Sequence, residues 1–184
     1  MQRLFLAMIL AMILAFSVQH GYAQEEVAPT FTLPNAAGEQ VTLPRAHDGV
    51  DIYFFWASWC PYCKALMPHF QSIRIENSDD VTIYAMNIRD DEDPEPFMAE
   101  HGYDFVMIPE ADSIMELYGV RPTPGLFVVD GEGRILLNLY EMIFDDGNEY
   151  KALSHGKKAG RRAPYWAAEI RRTIDLILSE SKGD

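Results

Sequence analysis

Cys60 and Cys63 are the only cysteines in a chain of 184 residues, and they stand three positions apart in Trp59-Cys60-Pro61-Tyr62-Cys63. A structural disulfide gains most by closing a long loop, and this pair closes almost none. A structural zinc site needs four ligands, and no second Cys pair or His pair stands at a suitable spacing. Redox chemistry is the economical remaining use. One thiolate attacks a disulfide and the other resolves the mixed disulfide that forms. An inert disulfide is the bland alternative.

Such chemistry needs the first thiol ionised near neutral pH. A thiol of pKa about 8.5 is about 3% ionised at pH 7, whereas one lowered to about 7 is half ionised. The difference corresponds to about 2 kcal/mol. The flanking sequence offers a cause. Val50 to Trp56 is a nearly continuous, aromatic-rich apolar run, which reads as a strand buried on both faces. From Cys60 to about Ile75, Leu66, Met67, Phe70 and Ile73 recur at helical spacing, with Pro68 predicted to kink the helix. Cys60 therefore falls where a strand gives way to a helix, beside unpaired N–H groups at the positive end of the helix dipole. Cys63 lies one turn deeper and is more shielded.

The other elements follow from pattern and punctuation. Phe31–Leu33 and Gln40–Leu43 alternate around Asn35–Gly38 as a small hairpin. Val81 to Ile88 reads as a strand, and Asp90–Asp93 as a solvated charge run opening a helix over Pro94–His101. Phe105–Ile108 is a short strand or an extended loop, and Asp112–Tyr118 a short helix. Gly125–Asp130 and Arg134–Tyr140 flank the turn Asp130-Gly131-Glu132-Gly133 as a hairpin. Pro164 to Ser179 is helical, with Pro164 at the first position and Trp166, Ile170, Ile174, Ile177 and Leu178 as its apolar stripe. This order predicts a single-domain α/β fold: a central mixed sheet with helices on both faces and an antiparallel pair at one edge.

The N-terminus reads as an export signal. Arg3 precedes the apolar run Leu4–Phe16, and Gly21-Tyr22-Ala23 supplies a small-residue cleavage site, giving a signal peptide over 1–23 and a domain over 24–184. The run is about 13 residues, short of the roughly 20 that span a bilayer; an uncleaved anchor is the alternative. A formal charge of −13 argues against nucleic acid as a partner. His69 is more than two helical turns from Cys60, too far for its general base. Most of the nine methionines fall in the signal or at core-like positions, so no metal site is expected. Residues 141–162 read as a long solvated loop, with a docking surface for an acidic partner as the other reading.

Trp56-Ala57-Ser58-Trp59-Cys60-Pro61-Tyr62-Cys63 resembles the active-site segment of the thioredoxin superfamily, and in particular its exported TlpA-like and cytochrome c maturation branch. Pro68 falls where that family carries its helix-kinking proline. Tyr118-Gly119-Val120-Arg121-Pro122-Thr123-Pro124, followed by the strand Gly125–Asp130, resembles the family's cis-proline loop. The resemblance implies a thioredoxin-like fold and a periplasmic thiol–disulfide oxidoreductase. Cys60 and Cys63 would be catalytic, and Trp59, Pro61, Tyr62, Thr123 and Pro124 would face the substrate. It implies protein thiols or disulfides as substrates, a membrane electron donor or acceptor, no dissociable cofactor, and a lean toward reduction. A thioredoxin-fold binding protein or assembly chaperone is the non-enzymatic alternative. Two departures stand out. Phe54 occupies the place of thioredoxin's buried aspartate, and Leu66 the place of a glutamate in some TlpA-like reductases, so neither acid is there to move a proton. The Pro61-Tyr62 pair resembles the dipeptide of glutaredoxins, which implies a potential less reducing than thioredoxin's about −270 mV.

Overall fold

The computed structural model describes residues 26–142 and 150–181. Residues 1–23, read as the export signal, lie outside that range. No helix among the described residues is long and apolar enough to cross a membrane.

Among the described residues the main elements follow one another as β1 (Phe31–Pro34), β2 (Gln40–Leu43), β3 (Val50–Trp56), α1 (Pro61–Glu76), β4 (Val81–Asn87), α2 (Glu95–His101), β5 (Val106–Ile108), β6 (Gly125–Asp130), β7 (Ile135–Asn138) and α3 (His155–Ser181). β1 and β2 form a separate antiparallel hairpin, and the other five make a mixed sheet in the order β5-β4-β3-β6-β7. β4 runs parallel to β3 and β5, whereas β6 runs antiparallel to β3 and β7.

β3 is the central strand and all seven of its residues are buried. Its alternate side chains enter two cores. Ile52, Phe54 and Trp56 pack with α1, α2 and α3, while Tyr53 and Phe55 meet Phe31, Leu43, Tyr84, Tyr118 and Phe127 on the other side. Each such side chain contributes about 1.5–3 kcal/mol by leaving water. The second face is covered by the β1–β2 hairpin and a single 3-10 turn at Asp112–Ile114, where the sequence predicted a longer helix. That segment buries only Ile114 and Tyr118 in passing and has too few apolar positions to seat a helix of several turns.

Asp51, inside the apolar run, is 1% exposed. It sits toward the N-terminal end of β3, away from the cysteines, with His47 Nε2 at 3.2 Å and Arg45 at 3.7 Å. Burial pushes its carboxyl above the ordinary range, partly offset by His47 and Arg45.

The last helix corrects the sequence reading. It begins at His155, so residues 155–162 are helical and not loop, and Pro164 lies in its interior. Proline in a helix removes a bond to the carbonyl four residues back and crowds that residue. Here the residue is Gly160, which has no side chain to add to the clash. Ala159, Ala163 and Trp166 are buried, so the apolar stripe extends one turn and more upstream of Pro164. Residues 143–149, the middle of the expected loop, lie outside the described residues.

Candidate active site

Strand direction brings three loops to one edge of the sheet. Phe55 pairs with Gly125 and Trp56 with Asn87. The cysteine loop after β3, the loop after β4 and the loop before β6 therefore emerge side by side.

Cys60 caps α1. Its backbone is extended (φ −83°, ψ 109°), Pro61 occupies the first turn, and its Sγ accepts the Cys63 N–H at 3.1 Å. The two cysteines are joined as a disulfide with their Cα atoms 5.3 Å apart. Cys60 is 1% exposed and Cys63 not at all. Proline at the first helical position is favoured because its missing N–H has no helical partner to lose. The cap places the Cys60 sulfur against a free N–H of the first turn.

Across from this cap, the Thr123–Pro124 peptide bond is cis. Tyr62, Pro122, Thr123, Pro124, Tyr140 and Trp166 line a groove of about 310 Å3. Pro61 and Tyr62 are half-buried, Thr123 half-buried, Pro124 buried and Arg121 exposed. A cavity of equal volume lies around His47 and Glu180, and one of about 420 Å3 around Glu26 and Tyr118 shares Tyr140 with the groove.

A hydrogen-bond network fixes the three loops to each other, and none of it was legible in the sequence. Asp90 accepts the backbone N–H of Ser58, the Ser58 hydroxyl at 2.7 Å and the Asn87 amide at 2.9 Å. Burial opposes ionisation of Asp90, but the bonds from Asn87 and Ser58 outweigh it and hold the carboxyl below its ordinary range. Trp59 is 58% exposed, and its indole Nε1 donates 2.7 Å to the Arg89 carbonyl. Arg89 adopts a left-handed backbone (φ 50°), donates its N–H to Asp112, and sends its guanidinium to the Arg121 carbonyl. Tyr140 donates its hydroxyl to the Pro122 carbonyl at 2.6 Å.

Within the charge run Asp90–Asp93, Asp90 is the anchor of the cysteine loop and not a solvated charge. Asp93 does play the bland part, accepting the Glu95 N–H at the start of α2. The signal for Asp90 is the parallel register that sets Asn87 beside Trp56, and that is a tertiary fact.

Phe54 and Leu66 are fully buried, and the Phe54 ring meets Phe70 edge-on at 4.9 Å. His69 is pushed down by burial and then by Arg171 of α3, which puts it on the α3 side of α1.

A cysteine pair capping a helix, a mixed sheet and an adjoining cis-proline loop define the class: a thioredoxin-like oxidoreductase of the thiol–disulfide type. The chain belongs to the AhpC/TSA family, whose sequence model matches residues 25–137. It is similar to the thiol-disulfide oxidoreductase ResA of Halalkalibacterium halodurans, at 30% identity over 60% of this chain and 65% of that protein. It is also similar to the thiol:disulfide interchange protein DsbE homolog of Paracoccus denitrificans, at 35% identity over 48% of this chain and 49% of that one. The matches thus span from about half to about two thirds of these relatives. Among solved structures, a putative DsbE from Chlorobium tepidum superposes with a TM-score of 0.55 at 28% identity, covering 62% of this chain and 82% of that chain. StoA from Bacillus subtilis gives 0.51 at 26%, covering 61% and 87%.

Proposed function

We propose that this protein is an exported, periplasmic thiol–disulfide oxidoreductase that exchanges disulfides with other proteins through Cys60 and Cys63, in the reducing direction. The observation that carries the reading is the cap: the Cys60 sulfur accepts the Cys63 N–H at the first turn of α1. In the reduced protein the same N–H and the helix dipole favour a thiolate there. Family, relatives and fold agree with this chemistry.

The thiolate of Cys60 attacks one sulfur of a substrate disulfide, whose S–S bond breaks and whose other sulfur leaves. Cys63 gives up its proton and attacks Cys60, forming the internal disulfide and releasing the second substrate thiol. Two electrons pass to the substrate, with one proton from Cys63 and the second taken from solvent. The backbone at Thr123–Pro124 offers an edge along which an extended substrate segment pairs, with Trp59, Pro61 and Tyr62 on the facing side. The export signal over 1–23 supports the location, and electrons would come from a membrane partner.

Insulin reduction, with Cys60→Ser as control, tests the activity. Wild-type turnover that the variant loses supports the reading; equal rates in both would leave a binding protein or assembly chaperone, which the near-complete burial of both sulfurs would then favour. A Cys63→Ser variant should retain its substrates as mixed disulfides on Cys60, and mass spectrometry of those adducts identifies them.

A further inference from the structure

The match to the AhpC/TSA family ends at residue 137, yet a wall of the groove beside the disulfide comes from further on. Tyr62, between the two cysteines, has its ring 6.0 Å from that of Trp166 and 6.2 Å from that of His155, and its hydroxyl is hydrogen-bonded with that of Tyr150. His155, Lys158, Arg162 and Trp166 recur three or four residues apart, so they share one face of α3. That face is seated on Tyr62, one of the two residues that separate the cysteines.

The same face is cationic. The Arg162 guanidinium lies 4.8 Å from the Tyr150 ring centre and 5.8 Å from that of Trp166, and Lys158 Nζ lies 5.6 Å from Tyr150. These contacts hold the charges against the aromatic wall rather than out in solvent. Residues 150–162 hold five of the chain's 15 Lys and Arg and no Asp or Glu, in a molecule of formal charge −13. Asp145, Asp146 and Glu149 come just before, outside the described residues. An acidic polypeptide is repelled by most of this molecule and is tolerated at this wall.

We infer that Lys158 and Arg162 select the substrate: a polypeptide carrying a carboxylate side chain near the cysteine it exchanges. Arg162 lines the same groove as Tyr62 and Pro124, so a segment lying in it brings its side chains to this wall. A free anion or a lipid headgroup meets only the charges. A polypeptide held at Thr123–Pro124 meets charges and sulfur together. The inference rests on the thiol–disulfide reading above.

The test uses the protein reduced beforehand and short, end-blocked peptides, each a symmetric disulfide through one cysteine flanked by Glu, Gln or Lys. Single-turnover release of peptide thiol is followed at low and high salt. The Glu peptide should react about tenfold faster than the Gln peptide at low ionic strength, with the advantage shrinking at high salt. In a Lys158→Glu/Arg162→Glu variant the order should invert, with the Lys peptide ahead of the Glu peptide; a variant that merely unfolds cannot produce an inversion. Equal rates for Glu and Gln peptides would overturn the inference and leave the oxidoreductase reading standing. Reduction of no peptide would overturn both. Adsorption to phosphatidylserine vesicles without any peptide preference would assign the cations to a membrane and overturn it also.

Discussion

Asp90 accepts both the backbone N–H and the hydroxyl of Ser58, so a carboxylate from the loop after β4 holds the residue two positions before the first cysteine. The bond crosses between loops that the sheet brings together at its edge, and it couples stability to acid. Asp90 is held below its ordinary range. A carboxylate depressed in the folded state stabilises it at every pH above the unfolded value, about 3.9, and loses that contribution as pH falls through the folded value. Asp90→Asn should lower stability by about 1–2 kcal/mol at pH 7. Urea unfolding at pH 7, 5 and 3 should show the gap between wild type and variant closing below pH 4. A gap that stays constant down to pH 3 would rule out the ionised form as the cause.

Asp51 carries the opposite sign. Burial raises it despite His47 and Arg45, so its contribution to stability is fully present below the unfolded value near 3.9 and declines as pH rises through the folded one. Asp51→Asn should therefore gain on wild type between pH 4 and pH 7, where the gap between wild type and the Asp90 variant stays constant. The same urea series, run on both variants, checks it: parallel trends would show that one of the two assignments is wrong. The ends of β3 thus hold carboxylates of opposed character, since one meets donors and the other a strand interior.

Elements whose pattern is local were legible in advance. β3 runs over Val50–Trp56 and β6 over Gly125–Asp130, where apolar runs and turn residues predict them. α3 was misjudged because Pro164 is a start signal by local rules, and only burial of Ala159 and Ala163 on the sheet side keeps the helix going upstream. Tyr62, expected to face the substrate, is half-buried because Tyr150, His155 and Trp166 come from almost a hundred residues away. The cysteine motif was readable since spacing alone specifies it. Asp90, Arg89 and Tyr140 were not, because each acts on a partner about 20 to 30 positions distant.

Gly131 illustrates the same limit within a motif that was read correctly. The turn Asp130–Gly133 needs a glycine at Gly133, where φ is +84°. Gly131 has another duty. A Cβ there would run into the backbone carbonyl of His47, whose N–H in turn donates to the Gly131 carbonyl at 3.3 Å. Backbone cannot yield as a side-chain tip can, so the chain before β3 must move. Gly131→Ala should destabilise by roughly 2 kcal/mol or more, well above the 0.5–1 kcal/mol that a glycine in an element interior loses relative to alanine. Thermal unfolding decides the matter: an unchanged midpoint would mean that the 47–49 segment is free to shift.

The absence of an acid beside Cys63 should be visible in the kinetics. Phe54 and Leu66, the positions from which related proteins are expected to supply one, are fully buried apolar side chains. A shielded thiol with no base beside it ionises no more readily than a free one. The release step depends on that ionisation. At saturating peptide disulfide, the single-turnover rate should therefore climb about tenfold per pH unit from pH 6 to pH 8 and still be rising at 8.5. Leu66→Glu puts a carboxylate three residues beyond Cys63, on the same side of α1, and should flatten the climb even where it slows the maximum. A parent profile that levels off by pH 7 would mean that some other group takes the proton, and Asp90, the carboxylate tied to the cysteine loop, would be the first residue to replace.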